Sequence, residues 1–348
     1  MPAIEAIADL VAGTLKDLGR FKWTELMFPL TNYPGFTQLL KQKRLALNSG
    51  YAMQWNLQLD TNNGATPVGL NEVDNVNIVD TMGSATEPIR NVTNNWAIDE
   101  REITANSGEA QVFDLVKSRR AACWGDLVKK IEGYIWGCPL STDAKTPRGL
   151  LYYIVKDTSS ATGAFTSGLP VTFAQASSGF TTVAGVDPAV TTQWQNWAGA
   201  YTNVSKIDLI RNMRQAMVKT DFECPIDVPE YTTAPDYGIY TDYGVLQTIE
   251  ELLEAQNQNL GKDVASMDGV ATFRRHPIRY VPTLDSHTKS PVIGVNWGAC
   301  KFRYLKGEFF REEMRKAPLQ HRTVQHFVDL TYGLQMYDRR RQWIFQTA

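Results

Sequence analysis

The chain has 348 residues and a formal net charge of −2, with 35 lysine and arginine residues against 37 aspartate and glutamate residues. This balance excludes a protein that attracts nucleic acid or a membrane surface through its overall charge, since that needs a large excess of one sign. No stretch approaches the ~20 apolar residues of a membrane span, and there is no secretory signal. We therefore expect a protein of a reducing cytoplasm without a membrane partner.

Charge is unevenly distributed along the chain. Residues 51–105 carry eight acidic and two basic side chains, a net −6, whereas residues 301–348 carry ten basic and five acidic ones, a net +5. Segments of opposite sign on a nearly neutral chain favour a surface that meets another copy of itself. Ordinary solvated faces would give the same pattern.

The cysteines carry no metal-ligand spacing, and we expect no metal or other cofactor. Cys123 falls in a helical stripe and Cys300 in an alternating strand pattern, so both are interpreted as small buried residues. Cys138 and Cys224 are the other two. The sequence also lacks a Walker-type phosphate loop, His-Glu-x-x-His, Gly-x-Ser-x-Gly and Cys-x-x-Cys.

The N-terminal third contains a helix pattern followed by strand patterns. Residues 3–18 predict an amphipathic helix that needs a surface to lie on. Residues 51–59 alternate apolar and polar side chains, which predicts a half-buried strand. A polar excursion with a β-like run at 76–82 follows, and residues 88–96 predict the returning strand. Together they predict an extended two-stranded arm, which is marginal in water unless it packs on a partner.

Residues 107–136 predict one long helix. Apolar residues recur there at steps of three and four, without proline, and Gly137 followed by Cys138-Pro139 supplies a stop. A helix of this length usually spans a whole domain, so we interpret it as a spine.

The middle of the chain predicts a buried strand over 148–156, a long irregular insertion over 157–202 and a helix over 203–220. Next come a short strand at 237–240 and a helix from Thr241 or Asp242 to about residue 258. The last eighty residues predict mainly strands, at 278–284, 292–297, 299–305, 324–336 and 342–345. A charged break at 306–316 and a basic turn at 338–341 interrupt them.

This order of elements resembles the major capsid proteins of tailed bacteriophages with the HK97-type fold. The resemblance rests on the strand–acidic excursion–strand–helix order over 51–137, the strand–helix junction Tyr237-Gly-Ile-Tyr-Thr-Asp, and the ending Asp338-Arg-Arg-Arg-Gln-Trp-Ile-Phe after a long alternating strand. It covers about two thirds of the chain, and residues 157–202 match no pattern of the family.

The resemblance implies an α+β fold with the regions of that family. These would be an N-terminal arm at 1–50, an extended β-hairpin (E-loop) at 51–105, a peripheral domain at 106–156 and 265–348 with its spine helix at 107–137, and an axial domain at 157–264. It further implies self-assembly into hexamers and pentamers that form an icosahedral head around phage DNA, assembled in the host bacterial cytoplasm. Portal, separate scaffolding and decoration proteins are implied partners. Covalent cross-linking through lysine is not expected, because residues 51–105 contain no lysine.

Within this resemblance, two charge hypotheses follow. In the first, acidic residues of the excursion lie over the basic C-terminal region of a neighbouring copy. The acidic residues are Asp60, Glu72, Asp74, Asp80 and Glu87. The basic residues are Lys301, Arg303, Lys306, Arg311 and Arg315. In the second, arginines on the inner wall contact packaged double-stranded DNA without sequence preference, the candidates being Arg119, Arg120, Arg339, Arg340 and Arg341. Burial of these arginines in ion pairs within the chain is the alternative.

Two other functions stay open at this point. An encapsulin-like shell around protein cargo has the same fold. A soluble α/β hydrolase is the alternative from another class of protein. In that case Asp285, His287 and either Ser286 or Ser290 would be candidates for part of a catalytic triad. His321 and His326 are interpreted as structural residues, and no catalytic residue is assigned.

Overall fold

The computed structural model describes residues 33–41, 46–61, 65–70, 80–105, 109–156, 172–174, 179–221, 236–257, 271–287, 289–316 and 322–347. The helix predicted over 3–18 and most of the β-like run at 76–82 lie outside these residues. Glu72, Asp74, Cys224 and His321 also lie outside them.

The described residues form six α-helices: α1 Pro34–Lys41, α2 Glu100–Ala105, α3 Glu109–Ile135, α4 Leu150–Tyr153, α5 Leu209–Thr220 and α6 Tyr243–Asn257. The predicted long helix is confirmed as α3, whose 27 residues give a rod of about 40 Å. Its predicted stripe faces the core, since Leu127 and Ile131 are buried. No helix in the described part of the chain is long and apolar enough to span a membrane.

Fourteen strands are described, and they form three sheets. They are β1 Ala46–Leu47, β2 Ala52–Gln58, β3 Met82–Pro88, β4 Arg90–Asp99, β5 Thr172–Ala174, β6 Asn196–Tyr201, β7 Tyr237–Thr241, β8 Thr272–Phe273, β9 His276–Tyr280, β10 Val292–Asn296, β11 Cys300–Leu305, β12 Arg311–Lys316, β13 Thr323–Met336 and β14 Trp343–Thr347.

The long C-terminal strand β13 organises the first sheet. It pairs antiparallel with β4 along one edge and with β12 and then β11 along the other, and β1 joins β11 in parallel. Alternate residues of β4 are exposed, so at β4 one face of this sheet is covered by α3 and the other is open to solvent. Residues 330–336 of β13 are all buried, so this half of the strand is covered on both faces.

The second sheet has seven strands in the order β5-β6-β14-β10-β7-β9-β8. Both faces of its centre are covered. On β10, Ile293 and Val295 belong to the main core, whereas Val292 belongs to a smaller core beneath α5 and α6. Central strands buried on both faces are continuous apolar runs, which is why β7 and β10 were predictable.

The third sheet is the hairpin β2–β3. Met53, Trp55 and Leu57 of β2 pack into the main core, whereas the intervening residues are exposed, which confirms the predicted half-buried strand. The predicted return strand is wrong, because β3 ends at Pro88 and β4 leaves the hairpin to pair with β13 over ten residues. Period-two patterns do not specify which distant strand a segment joins.

Three other predictions are corrected. Residues 150–153 form the short helix α4 instead of part of a strand. Residues 150–155 are all buried, so no alternation of buried and exposed side chains distinguishes a helix from a strand there. The supposed insertion at 157–202 contributes β5 and β6 to the seven-stranded sheet, and the charged break at 306–316 contains β12.

Candidate subunit-contact surface

The outer half of the hairpin is exposed and carries both acidic and apolar side chains. The carboxylates of Asp60 and Asp80 accept hydrogen bonds from neighbouring backbone amides, at 2.7 Å from Thr61 N and 3.2 Å from Met82 N. Leu70 is fully exposed and Val68 is 54% exposed. Exposed apolar side chains in the same segment as exposed acidic ones favour contact with another protein.

Glu87 does not belong to this exposed surface, which corrects its predicted contact with a neighbour. Its side chain is buried, and its Oε2 lies 2.7 Å from Nη1 of Arg148. The same Nη1 donates to the hydroxyl of Tyr152, which in turn accepts from the backbone N–H of Ala184. Burial raises the pKa of Glu87 to about 7 against the opposing charge of Arg148. Glu87 therefore anchors the hairpin base to its own core.

The basic residues around β11 differ in how firmly they are held. Arg303 donates from Nε to Gln335 Oε1 at 2.8 Å and from Nη2 to the Tyr337 hydroxyl at 2.7 Å. The ammonium of Lys301 lies 5.3 Å from the centre of the Tyr337 ring. Lys306 is exposed in the turn after β11. Lys301 and Lys306 are thus better placed than Arg303 to meet another subunit.

Strand β12 carries charges on both faces. Arg311 and Arg315 flank Glu313 on one face, at 3.5 Å and 2.9 Å. Glu312 points to the other face, toward α3. Met314 is 67% exposed. β12 lies at the edge of its sheet, and charged side chains on an edge strand discourage unspecific pairing with other strands. A partner that contacts β12 therefore has to match its charges.

Four of the five arginines proposed to face DNA form ion pairs within the chain. Arg119 pairs with Glu102 and Arg120 with Glu312, each at 2.6 Å. Arg340 and Arg341 share Asp338, at 3.0 Å and 3.8 Å. The side chains of Arg120 and Arg340 are 55% and 42% exposed, so these two are the more accessible to a ligand.

Arg339 is wholly buried, which corrects its assignment to a DNA-facing surface. Its Nε donates to Tyr153 O at 2.8 Å, its Nη1 to Trp194 O at 2.5 Å, and its Nη2 to Asn196 Oδ1 at 3.2 Å. Burial lowers its pKa to about 9. This guanidinium joins the C-terminal turn to the end of α4 and to the start of β6.

Glu132, which is not among the predicted site residues, docks α1 onto α3. Its buried carboxylate accepts hydrogen bonds from the backbone N–H of Gly35 at 3.0 Å and of Phe36 at 2.6 Å, and from Trp136 Nε1 at 2.7 Å. It caps the first turn of α1, where a negative charge is favourable. The available signal was an acidic residue between the apolar Ile131 and Ile135.

The residues considered for a hydrolase are engaged in local structure. Asp285 accepts hydrogen bonds from the Tyr243 backbone N–H and the Tyr280 hydroxyl, and Ser286 Oγ donates to Thr283 O at 2.8 Å. These contacts explain Asp285 and Ser286 as parts of a polar turn. His326 stacks on Trp96 with ring centres 4.1 Å apart. Among the described residues no cluster of histidine, cysteine, aspartate and glutamate could hold a metal ion.

No protein-family model matches the sequence, and neither does any curated protein. Solved structures do match the fold. A chain of the cyanophage A-1(L) capsid asymmetric unit aligns with a TM-score of 0.60 at 12% identity, covering 95% of this chain and 99% of that chain. A chain of the capsid of the native GTA particle aligns with a TM-score of 0.58 at 11% identity, covering 97% and 98%.

A chain of Mycobacterium phage Bobi also aligns, with a TM-score of 0.52 at 9% identity and coverage of 96% of this chain and 97% of that chain. The α+β fold class is confirmed, and so is the resemblance as far as the fold is concerned. Over nearly its whole length, this chain has the fold of chains that build the cyanophage A-1(L) and GTA capsids.

Proposed function

We propose that this chain is the major capsid protein of a tailed bacteriophage and assembles into hexamers and pentamers of an icosahedral head around phage DNA. The observation that carries the proposal is the overlap with the cyanophage A-1(L) capsid chain across 95% of this chain and 99% of that one. An overlap of both full lengths leaves little room for an added catalytic domain in the aligned region.

The same proposal assigns the regions of the chain. Residues 1–50 are the N-terminal arm, 51–105 the E-loop, 106–156 and 265–348 the peripheral domain, and 157–264 the axial domain. Support comes from the hairpin β2–β3 and from α3 as the spine. Two features cross the proposed boundaries: β4, within 51–105, pairs with β13, and the seven-stranded sheet takes strands from both sides of residue 264. That shared sheet makes the two domains continuous, so the boundary is one of position in the shell.

The first charge hypothesis is retained in a narrower form. We propose that Asp60, Asp80 and the neighbouring Glu72 and Asp74 lie over the basic region of an adjacent copy. Its more accessible cations are Lys301, Lys306, Arg311 and Arg315, whereas Glu87 and Arg303 serve their own chain. Exposed ion pairs contribute about 0–1 kcal/mol each, so their effect is on register and assembly rate.

Packaged double-stranded DNA is a proposed partner without sequence preference. Arg120 and Arg340 are the best placed of the five arginines to approach phosphate, because their side chains are the most exposed. The proposed partners also include portal, separate scaffolding and decoration proteins. Assembly takes place in the host bacterial cytoplasm, and the assembled chain resides in the virion.

Two alternatives make different predictions. An encapsulin-like shell has the same architecture and would enclose protein cargo in place of DNA. A soluble α/β hydrolase requires a converging triad, and the engagement of Asp285 and Ser286 in a turn argues against it.

Purified chain examined by size-exclusion chromatography and negative-stain microscopy tests the proposal. We expect capsomers, shells or tubes. A stable globular monomer of the 39.1 kDa chain at every concentration, with and without co-expressed phage proteins, would contradict it. Nuclease-resistant DNA in particles from infected cells distinguishes a phage head from a compartment that holds protein cargo.

A further inference from the structure

Helices α5 and α6 lie on the same face of the seven-stranded sheet but over different strands. α5 contacts β6 and β14, whereas α6 contacts β9. Three strand spacings separate β14 from β9 and four separate β6 from β9, or about 14–19 Å at the usual distance between strands. Each helix buries one face in the smaller core, through Met213 and Met217 on α5 and through Val245 and Ile249 on α6.

The two helices carry opposite charge. The sequence of α5 holds three basic residues and no acidic one, and that of α6 holds three glutamates and no basic residue. Arg211 and Arg214 are exposed on the outer side of α5, and Glu250 and Glu251 on the outer side of α6. Arg211 and Arg214 are three residues apart, a spacing at which like charges destabilise a helix, so the α5 face gains from an acidic partner. The two adjacent glutamates give the α6 face the opposite sign, which is complementary to it.

Exposed apolar side chains accompany both sets of charges. Ile207 in the turn before α5 is 79% exposed, Val218 on α5 is 63% exposed, and Tyr243 at the start of α6 is 59% exposed. Phosphate attracts cations but gains nothing from isoleucine or valine, whereas arginine and aromatic residues beside apolar ones are typical of protein interfaces. The composition of the α5 face therefore favours a protein partner over DNA.

We propose that the outer face of α5 in one copy (Ile207, Arg211, Arg214 and Val218) binds the outer face of α6 in the next copy (Tyr243, Glu250 and Glu251). In a capsomer each copy offers α5 to one neighbour and α6 to the other, so the proposed contact is heterologous, and it forms a ring because the rotation between copies closes. A pair of copies in which each α5 meets the other's α6 would instead be a two-fold dimer, which the composition of mixed assemblies distinguishes from a hexamer. The inference rests on the proposed function and identifies charged surfaces that hold neighbouring subunits together within one capsomer.

Charge reversal on each helix tests the contact. In R211E/R214E both outer faces are acidic, and in E250K/E251K both are basic, so neither variant forms a favourable contact with itself. We expect the shell yield of each at low salt to fall by at least about tenfold, since like charges oppose each other at every contact. The quadruple variant R211E/R214E/E250K/E251K swaps the faces and should assemble again.

A mixture of the two reversal variants gives a sharper result. Each contact of an alternating ring joins an acidic face to a basic face, so a six-membered ring is satisfied throughout. An odd ring of five leaves one contact of like sign. We therefore expect equimolar mixing to restore hexamers, and native mass spectrometry should show three copies of each variant per hexamer.

The outcomes separate this inference from the proposed function. If the unmodified chain forms no particles, the proposed function fails. If the unmodified chain assembles and both reversal variants assemble equally well, the α5–α6 contact is wrong. Normal shells of R211E/R214E with reduced DNA content would assign the α5 face to DNA and overturn the inference. Circular dichroism and melting temperatures check that each variant folds. If R211E/R214E does not fold, R211Q/R214Q replaces it, and if E250K/E251K does not fold, E250Q/E251Q replaces it.

Discussion

The carboxylate of Glu132, near the end of α3, accepts a 2.6 Å hydrogen bond from the backbone N–H of Phe36, 96 residues earlier in the chain. The same carboxylate binds Gly35 N–H, where an added Cβ would lie 2.9 Å from Ile135 Cγ2, so the approach of α1 to α3 is close. One buried acid therefore holds the first turn of α1 against α3.

Replacing Glu132 with glutamine should loosen this attachment. The amide group has one acceptor oxygen in place of two, so it cannot bind Gly35, Phe36 and Trp136 together, and a buried N–H is left without its acceptor. We expect E132Q to lose about 1–3 kcal/mol of stability. Limited proteolysis near residue 36 and thermal melting measure the effect.

Asp126→Asn is the matched control, because Asp126 is exposed on the same helix. Its melting temperature and cleavage pattern should stay close to those of the unmodified chain. Equal protection of the N-terminal segment in E132Q and D126N would show that the Glu132 cap does not hold α1.

Glu87 predicts a pH dependence of stability. Burial raises its pKa from 4.5 to about 7, so the folded chain binds this proton more tightly than the unfolded chain does. The stabilisation is fully present below about pH 4.5 and is lost as the pH rises through about 7.

E87Q removes this titration while keeping the shape of the side chain. The stability of the unmodified chain relative to E87Q should fall as the pH rises through that window, by at most about 1.4 kcal/mol per pH unit. Melting temperatures of both proteins at a series of pH values measure the difference. Parallel curves across the window would contradict a raised pKa for Glu87.

The regular elements were predictable where one period runs over many residues. The alternation of β13 and the three- and four-residue steps of α3 are such cases, and both elements appear at nearly the predicted bounds. α4 was missed because its four residues are all buried, which removes the contrast between faces on which periodicity depends.

Candidate contact residues were harder to predict, because charge counts do not show which charges neutralise one another. Arg311 and Arg315 appear in the sequence as free cations, yet both approach Glu313 on the same strand. Arg339 lies in a run of three arginines typical of a solvated turn, and only the fold shows that its partners come from residues 153, 194 and 196.

Arg339→Met should therefore damage folding without acting on DNA. Methionine fills part of the volume but removes the guanidinium that donates to Tyr153 O and Trp194 O, whereas Asn196 Oδ1 keeps the hydrogen bond from the Val155 backbone N–H. We expect a loss of about 2–4 kcal/mol and a lower soluble yield. Arg340→Met is the control on the neighbouring, part-exposed arginine; it removes the ion pair with Asp338 and should cost no more than about 1 kcal/mol. If R339M and R340M have the same melting temperature, the buried hydrogen bonds of Arg339 contribute little to stability.

The acidic half of the hairpin predicts assembly that responds to salt. Asp60 and Asp80 are exposed at the ends of the excursion, so D60K/D80K changes the charge facing a neighbour without removing a packed side chain. We expect D60K/D80K to assemble more slowly than the unmodified chain at low ionic strength, with D60N/D80N between the two, because the proposed attraction scales with the charge difference. Light scattering after mixing measures the rate.

Raising the ionic strength from about 0.1 M to about 1 M shortens the screening length from about 10 Å to about 3 Å and should bring the three rates together. Rates that differ equally at both ionic strengths would assign the effect to local structure, since only a contact between exposed charges is removed by screening.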